Sequence, residues 1–183
     1  MALFPLERFP SPGGVGVVNI FSDAAREVGS VCGFGAVVMQ DPAFYIGGEW
    51  TEEEVEWLSI DVLEALAEWW ALVVIMGRCE GRWVWSWVDN EAAKFVTNRC
   101  KPKSPLLAEV VRRMGKGAGD MGVWVHAGRV TSEENKVADW LSRGEESAAV
   151  GRLAGFGFQA VKLRVPAELR GTAWLVELAR QLQ

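Results

Sequence analysis

The sequence predicts an α/β protein with a mixed five-stranded sheet and helices on its faces. Three apolar segments separated by turn residues come first, and a long segment with helical periodicity follows them. Two further strand-like segments then alternate with helical ones. The chain has 183 residues and 50% of them are apolar, which is enough for one domain with a substantial core.

The strands are short apolar segments, and Asp41-Pro42 between the second and third makes the first three an antiparallel meander. They are expected over residues 15–23, 32–39, 43–50, 82–90 and 122–130. The strongest helix has Ser59 as a candidate cap and Gly77 just beyond its end. Helices are expected over residues 59–76, 91–99, 104–116 and 134–143.

Composition divides the chain into three parts. Residues 1–14 are rich in Pro and Gly and are expected to form a linker or N-terminal arm, and residues 15–143 form the main domain. Residues 144–183 are expected to be a C-terminal helical extension: a short amphipathic helix, an extended piece and a helix started by Pro166.

The composition excludes several classes of protein. A net charge of −5 argues against a surface coated with nucleic acid, although it leaves room for a local basic patch. The three cysteines include no CxxC pair, so neither a disulfide framework nor a zinc site is predicted. The N-terminus lacks a secretory signal pattern, and the most apolar run, residues 69–76, is too short to span a bilayer. We therefore expect an intracellular protein of the cytoplasm or nucleus, without a membrane partner.

Four acidic residues lie where chemistry is expected. Asp23 and Asp89 each end a strand, Glu64 lies inside the long helix, and Asp139 lies in the helix at 134–143. Singly, each has an ordinary interpretation as a turn residue, a solvated helix position or a first-turn acid. Together they would repel one another unless a cation compensates them, and hard oxygen ligands suit Mg²⁺ or Mn²⁺. Two such ions can clamp the attacking water and the leaving oxygen of a phosphodiester.

The order of these acids on their elements resembles the ribonuclease H type I family. The segments "FSDAA…GFGAVV", "IDVLEALA", "VDNEAAKFVTNR", "SPLLAEVVRRM" and "ENKVADWLSRG" are similar to the ribonuclease H domain of retrotransposon reverse transcriptases, especially those of tyrosine-recombinase-type elements. The resemblance covers about residues 15 to 144, and its last motif is the most specific. It implies a ribonuclease H-like sheet, with an antiparallel meander followed by parallel strands.

The resemblance also implies an activity. It implies hydrolysis of the RNA strand of an RNA–DNA hybrid with two metal ions, leaving a 5′ phosphate, and a polymerase domain as a partner. Asp23 would bridge both ions, Asp139 would hold the ion on the water side, and Glu64 and Asp89 would hold the other. Glu64 is preferred to Asp61 because it begins "EALA", which matches the family's helix motif.

The sequence departs from the family in one loop. Most members place a His six residues before the Asn of the last motif, where this chain has Arg129, which we expect to contact the phosphate or the product. Asn90 and Asn135 are further candidates, either for contacts with the substrate or for hydrogen bonds that support the metal ligands. The only histidine, His126, is expected to lie within a strand.

A basic stretch is the candidate site for the phosphate backbone, with a solvated helix face as the alternative. It contains a single acid, Glu109, and these basic residues: Lys94, Arg99, Lys101, Lys103, Arg112, Arg113 and Lys116. A catalytically weak or inactive module of the same fold, which binds nucleic acid or a polymerase, stays open as an alternative. The motif "NKVADWLSR" argues against another nuclease of this fold, such as a resolvase or exonuclease.

Overall fold

The computed structural model describes residues 17–27, 31–78, 83–89, 98 and 102–182. Within these ranges one six-stranded sheet runs in the order β5-β4-β1-β2-β3-β6. Its strands are β1 (Val17–Ala24), β2 (Gly33–Val38), β3 (Ala43–Glu49), β4 (Trp83–Val88), β5 (Trp124–Arg129) and β6 (Ala160–Lys162). The helices are α1 (Glu52–Trp57), α2 (Ile60–Met76), α3 (Pro105–Met121), α4 (Lys136–Ser142), α5 (Glu146–Gly155), α6 (Ala167–Arg170) and α7 (Ala173–Gln181).

The sheet has the predicted mixed character. β1, β2 and β3 form an antiparallel meander, whereas β4 pairs parallel to β1 and β5 pairs parallel to β4. Each parallel connection passes through a segment that contains a helix, as parallel strands require. The carboxyl ends of β1, β4 and β5 therefore lie at one edge of the sheet.

Two apolar layers cover the two faces of the meander. α2 lies on one face, where Leu63, Leu66 and Trp70 are fully buried against Ile20 of β1, and α3 packs outside it. α4 lies on the opposite face, where Leu141 packs against Phe21 and Val37. The faces alternate along β1 as period-two strand geometry demands, since Ile20 belongs to one layer and Phe21 to the other.

The glycines of β2 set the distance between the sheet and α4. A Cβ added at Gly35 would stand 2.5 Å from the Ala138 carbonyl oxygen and 2.7 Å from the Ser142 nitrogen. A Cβ added at Gly33 would stand 2.7 Å from the Ser142 carbonyl oxygen. The "GFG" segment thus allows the backbone of α4 to lie directly on the backbone of β2.

The C-terminal part differs from the prediction in two features. β6 pairs parallel with β3 and makes the sheet six-stranded instead of five-stranded. The helix expected after Pro166 is divided into α6 and α7, because the backbone is extended at Gly171. α1 was also not predicted, and Thr51 and Glu54 cap it with reciprocal hydrogen bonds. The helix predicted over 91–99 falls almost wholly outside the described residues.

A buried ion pair, which we call the Arg170 clasp, joins the C-terminal part to the core. Glu54 is 0% exposed and accepts hydrogen bonds from Arg170 Nη1 (2.5 Å), Arg170 Nη2 (3.0 Å) and Thr172 Oγ1 (2.5 Å). The guanidinium carbon of Arg170 lies 4.9 Å from the ring centroid of Trp70 and 5.6 Å from that of Trp50. The clasp therefore couples an ion pair to cation–π contacts inside an apolar shell.

Candidate active site

Three of the four predicted acids line one small cleft at the carboxyl ends of β1 and β4. Phe21 of β1 pairs with Trp87 of β4, so Asp23 and Asp89 follow at the same edge of the sheet. Glu64 reaches the same cleft from α2, and Ser22 and Val88 complete its lining. The parallel pairing of β1 with β4 thus brings the two aspartates to the same end of the sheet.

Asp139 approaches from the opposite face of the sheet. It lies on α4, whose close contact with Gly33 and Gly35 places the whole helix beside the end of β1. Ser142, one turn further along, donates a hydrogen bond of 2.6 Å to Oδ2 of Asp23. The charge of Asp139 is close enough to raise the pKa of Asp23.

Asp23 has a strongly raised pKa. Burial, together with the carboxylates of Asp89 and Asp139, raises its pKa from 3.8 to about 7, against the opposing hydrogen bond from Ser142. A carboxyl group whose pKa is raised by burial and by neighbouring carboxylates marks a site that would gain from a cation. Asp89 itself accepts a hydrogen bond of 3.3 Å from Ser132 Oγ.

The carboxylate of Asp139 is occupied by two cationic side chains. Arg143 Nε donates to its Oδ1 at 2.6 Å, and Lys136 Nζ donates to its Oδ2 at 2.8 Å. Burial opposes ionisation of Asp139, but these two partners hold its pKa below the ordinary value. Arg143 is shared with Glu27, at 2.9 Å from Nη1. Asp139 is therefore an ionised group whose charge is already balanced in this conformation.

The loop before α4 brings two further predicted residues to the site. Arg129, at the end of β5, is exposed, and its Nε lies 3.4 Å from the main-chain oxygen of Asp89. Asn135 is only 1% exposed, and its Nδ2 donates to the main-chain oxygen of Ser22 at 3.0 Å. Because its side chain is buried and bonded to β1, Asn135 positions the end of that strand, and its contact with a substrate stays a prediction.

The predicted phosphate-binding stretch is only partly described. Asn90, Lys94, Arg99 and Lys101 lie outside the described residues, and Lys103 is exposed. On α3, Arg112 and Arg113 both donate to Glu109, and Lys116 pairs with Asp120. Hydrogen bonds from the two arginines lower the pKa of Glu109 to about 2. The cations of α3 are thus locally paired, as on a solvated helix face.

The donor atoms of the cleft fit divalent metal ions in chemistry. Asp23, Glu64 and Asp89 offer the hard carboxylate oxygens that Mg²⁺ and Mn²⁺ prefer. Among the residues that the structure describes, however, no three His, Cys, Asp or Glu side chains stand close enough to form a ready ligand group. The fit therefore requires small side-chain movements that draw the carboxylates together, including release of Asp139 from its cations.

Three residues of the site escaped the sequence prediction. Ser142 and Arg143 follow Asp139 by three and four positions, and Lys136 precedes it by three. These spacings place all three on the helix face of Asp139. Helical spacing around the acid was thus an available signal for each of them.

No helix within the described ranges has both the length and the apolar composition needed to traverse a bilayer.

Comparisons with solved structures agree with this architecture. No family model and no curated protein match the sequence. The N-terminal RNase H domain of a Mycobacterium tuberculosis protein, solved as a fusion with maltose binding protein, is 18% identical with a TM-score of 0.53, covering 75% of this chain and 98% of that chain.

Two structures of LC11-RNase H1, which was isolated from compost, are also similar. One is 17% identical with a TM-score of 0.55 and covers 73% of this chain and 96% of that chain. The other, in complex with an RNA/DNA hybrid, is 21% identical with a TM-score of 0.50 and covers 68% of this chain and 92% of that chain. Together with the order and directions of the strands, these similarities lead to one conclusion: the chain has the ribonuclease H fold.

Proposed function

We propose that this protein is a metal-dependent endoribonuclease that hydrolyses the RNA strand of RNA–DNA hybrids. The observation that carries the proposal is the convergence of Asp23, Glu64 and Asp89 on one cleft. Asp139 supports it, because its charge raises the pKa of Asp23. A neighbour of the same fold was solved with an RNA/DNA hybrid, which is the substrate that we assign to this cleft.

In this proposal Asp23, Glu64, Asp89 and Asp139 hold two Mg²⁺ or Mn²⁺ ions. Such ions, when bound, lower the pKa of water and stabilise charge on the leaving oxygen. Ser142 fixes the orientation of Asp23 from α4, and Ser132 contacts Asp89 from the loop before that helix. Arg129, beside the main chain of Asp89, places a cation where a phosphate or product would leave.

The biological setting is the finer part of the proposal. The motifs "VDNEAAKFVTNR" and "ENKVADWLSRG" are similar to those of retrotransposon reverse transcriptases, so we propose a polymerase domain as partner. We also propose residues 15–143 as the ribonuclease domain, residues 1–14 as an arm and residues 144–183 as an extension. That extension is tied to the domain by β6 and the Arg170 clasp.

A second candidate function has its own support. Asp139 carries ion pairs to Arg143 and Lys136, and a cation would have to compete with both. Arg129 cannot donate a proton as the histidine of most family members can. These two features favour a module of the same fold that binds nucleic acid or a polymerase and cleaves weakly or not at all.

Cleavage of a labelled RNA–DNA hybrid, with single-stranded and duplex RNA as controls, tests the proposal. In Mg²⁺ or Mn²⁺ the wild-type protein is expected to cut only the RNA strand of the hybrid. Asp89→Asn is expected to lower the rate at least about 100-fold, because a metal ligand supports several kcal/mol of transition-state stabilisation.

The matched control is Asp120→Asn, which removes an exposed carboxylate paired only with Lys116 on α3. It should retain the wild-type rate. Equal loss in both variants, or no cutting by folded wild-type protein in either metal, would favour the binding module. A rise in melting temperature with Mn²⁺ that disappears in Asp89→Asn would separate failure to bind metal from failure to cut.

A further inference from the structure

One face of β4 and β5 is built almost entirely from aromatic side chains. Alternate residues of the two strands share this face, and the register places them opposite one another. The opposed pairs are Trp83 with Trp124, Trp85 with His126 and Trp87 with Gly128. None of these six residues is acidic or aliphatic. We call this set the tryptophan face.

The outer pair of the tryptophan face is open to solvent. Trp83 is 55% exposed and Trp124 is 67% exposed, although their rings stack with centroids 5.9 Å apart. The opposite side of β4 is different, since Val84 and Ser86 are buried there. α4, which lies on the same side of the sheet as Phe21, makes its contacts to β1, β2 and β3.

The inner tryptophans have a structural explanation. The ring of Trp87 lies over Gly128, where an added Cβ would stand 2.5 Å from its Cε3 atom. Its Nε1 donates to Asn19 Oδ1 at 2.9 Å. Trp85 lies between the rings of Trp87, at 5.3 Å, and His126, at 4.4 Å. Packing within the sheet thus accounts for Trp85 and Trp87, but it leaves most of Trp83 and Trp124 in water.

We propose that the tryptophan face binds unpaired bases of a nucleic-acid strand, with Trp83 and Trp124 as the stacking platform. Exposed aromatic side chains on a sheet surface bind bases in this way, because every base has a flat face that stacks with little regard to sequence. The inference rests on the proposed function, since it takes the ligand of the cleft to be nucleic acid.

The position of the face on β4 favours nucleic acid over a protein partner. Trp83, Trp85 and Trp87 precede Asp89 at intervals of two residues, so the outer pair lies roughly 20 Å from the cleft along the same side of the strand. A strand with a phosphate in the cleft could therefore continue across the rings.

Fluorescence anisotropy with labelled hybrids tests this inference in EDTA, where no cleavage is expected. Three ligands are compared: a blunt hybrid, the same hybrid with a single-stranded overhang of about ten nucleotides, and the hybrid with an abasic overhang of that length. The overhang is expected to tighten binding about tenfold, and the abasic overhang, which keeps the phosphates, should lose most of that gain.

The variants Trp83→Ala and Trp124→Ala should abolish the gain from the overhang without weakening binding of the blunt hybrid. Trp124→Phe should keep most of it. Leu182→Ala, which truncates another exposed apolar side chain, 51% exposed and remote from β4, is the matched control and should behave as wild type. The abasic comparison uses wild-type protein, so the test does not depend on the folding of any variant.

Two results would overturn the inference. One is equal binding of the normal and abasic overhangs. The other is a wild-type dimer in solution that Trp83→Ala converts to a monomer, which would identify the face as an interface between copies. Hybrid cleavage without a gain from the overhang would sink this inference alone, whereas a gain from the overhang without any cleavage would sink the catalytic proposal alone.

Discussion

Glu54 and Asp23 are two carboxyl groups of the same fold in opposite electrostatic situations. Glu54, at the start of α1, accepts hydrogen bonds from Arg170, Thr172 and its own capping partner. Although burial alone would raise the pKa of Glu54, these partners lower it. Asp23 receives a hydrogen bond from Ser142, and burial and two neighbouring carboxylates raise its pKa to about 7.

The contrast separates a structural acid from a functional one. A buried charge with every acceptor position satisfied stabilises a fold when its partners stay in place. A group of acids that face one another without enough cations stores unfavourable energy, which a ligand can relieve. The Arg170 clasp pairs its buried acid with a cation, whereas in the cleft the carboxylates of Asp89 and Asp139 still raise the pKa of Asp23.

The largest expected effect concerns the Arg170 clasp. Arg170→Ala leaves Glu54 buried without its cation, and we expect the free energy of unfolding to fall by roughly 3–5 kcal/mol. Urea denaturation followed by circular dichroism would measure it. Arg180→Ala is the matched control, because Arg180 also pairs with an acid of α1, Glu53, but both side chains are largely exposed. The control should lower the free energy of unfolding by less than about 0.5 kcal/mol. Equal losses in the two variants would contradict the conclusion that the buried clasp stabilises the fold more than an exposed ion pair does.

The second prediction concerns the acid cleft and the effect of Asp23 on the pH dependence of stability. As pH rises from about 4 to about 7, the unfolded chain loses the Asp23 proton before the native protein does, so stability falls over that window. Without metal, Asp23→Asn should therefore stabilise the protein at pH 8 by roughly 2 kcal/mol. This is about half of the free energy that corresponds to the whole pKa shift, because solvent screens the charge of a partly exposed group. The gain should vanish near pH 4.

Urea denaturation in EDTA at several pH values would test this sign. Glu54→Gln provides the contrast, since it removes a stabilising charge and should destabilise the protein at pH 8. A loss of stability in Asp23→Asn that is the same at pH 4 and pH 8 would contradict the account of the cleft.

The smallest expected effect concerns Ser142, whose hydroxyl links α4 to Asp23. Ser142→Ala removes the donor to Asp23 from a fully buried position and should cost about 1 kcal/mol of stability. It should also weaken Mn²⁺ binding about tenfold, because the partner that orients a ligand is lost. Mn²⁺-dependent shifts in melting temperature would measure the affinity. Ser147→Ala, at an exposed position of α5, should change neither quantity, and an unchanged Mn²⁺ midpoint in Ser142→Ala would remove Ser142 from the site.

The sequence predicted those parts of the fold that depend on local patterns. Alternation predicted that Asp23 and Asp89 could meet if their strands were neighbours, and the parallel pairing of β1 with β4 fulfils that condition. The capping residues Thr51 and Glu54 were a readable signal for α1 that the prediction did not use. β6 was not predictable in this way, because three residues, Ala160–Lys162, carry no diagnostic alternation and pair only where the edge of β3 is available.

Helical spacing could have indicated Lys136 and Arg143 as partners of Asp139, but no local pattern predicts contacts between distant parts of the chain. Glu54 and Arg170 are 116 positions apart, and no spacing rule connects them. Asp23 and Ser142 are 119 positions apart, and their contact requires the glycines of β2 to admit α4. Such contacts depend on how closely two backbones approach, which local periodicity does not encode.

The pairing of β6 with β3 has a kinetic consequence. Ala43 meets Ala160, so the edge of the sheet closes only after most of the chain between them has been made. At a synthesis rate of roughly 5–20 residues per second, the edge of β3 would stay unpaired for about 6–25 s before β6 is made. Contacts of such high sequence separation slow folding, because the chain loses the entropy of loop closure before the strand pairing contributes any stability. During synthesis the meander therefore needs protection from other strands, and its aggregation should be most severe for chains that stop short of residue 160.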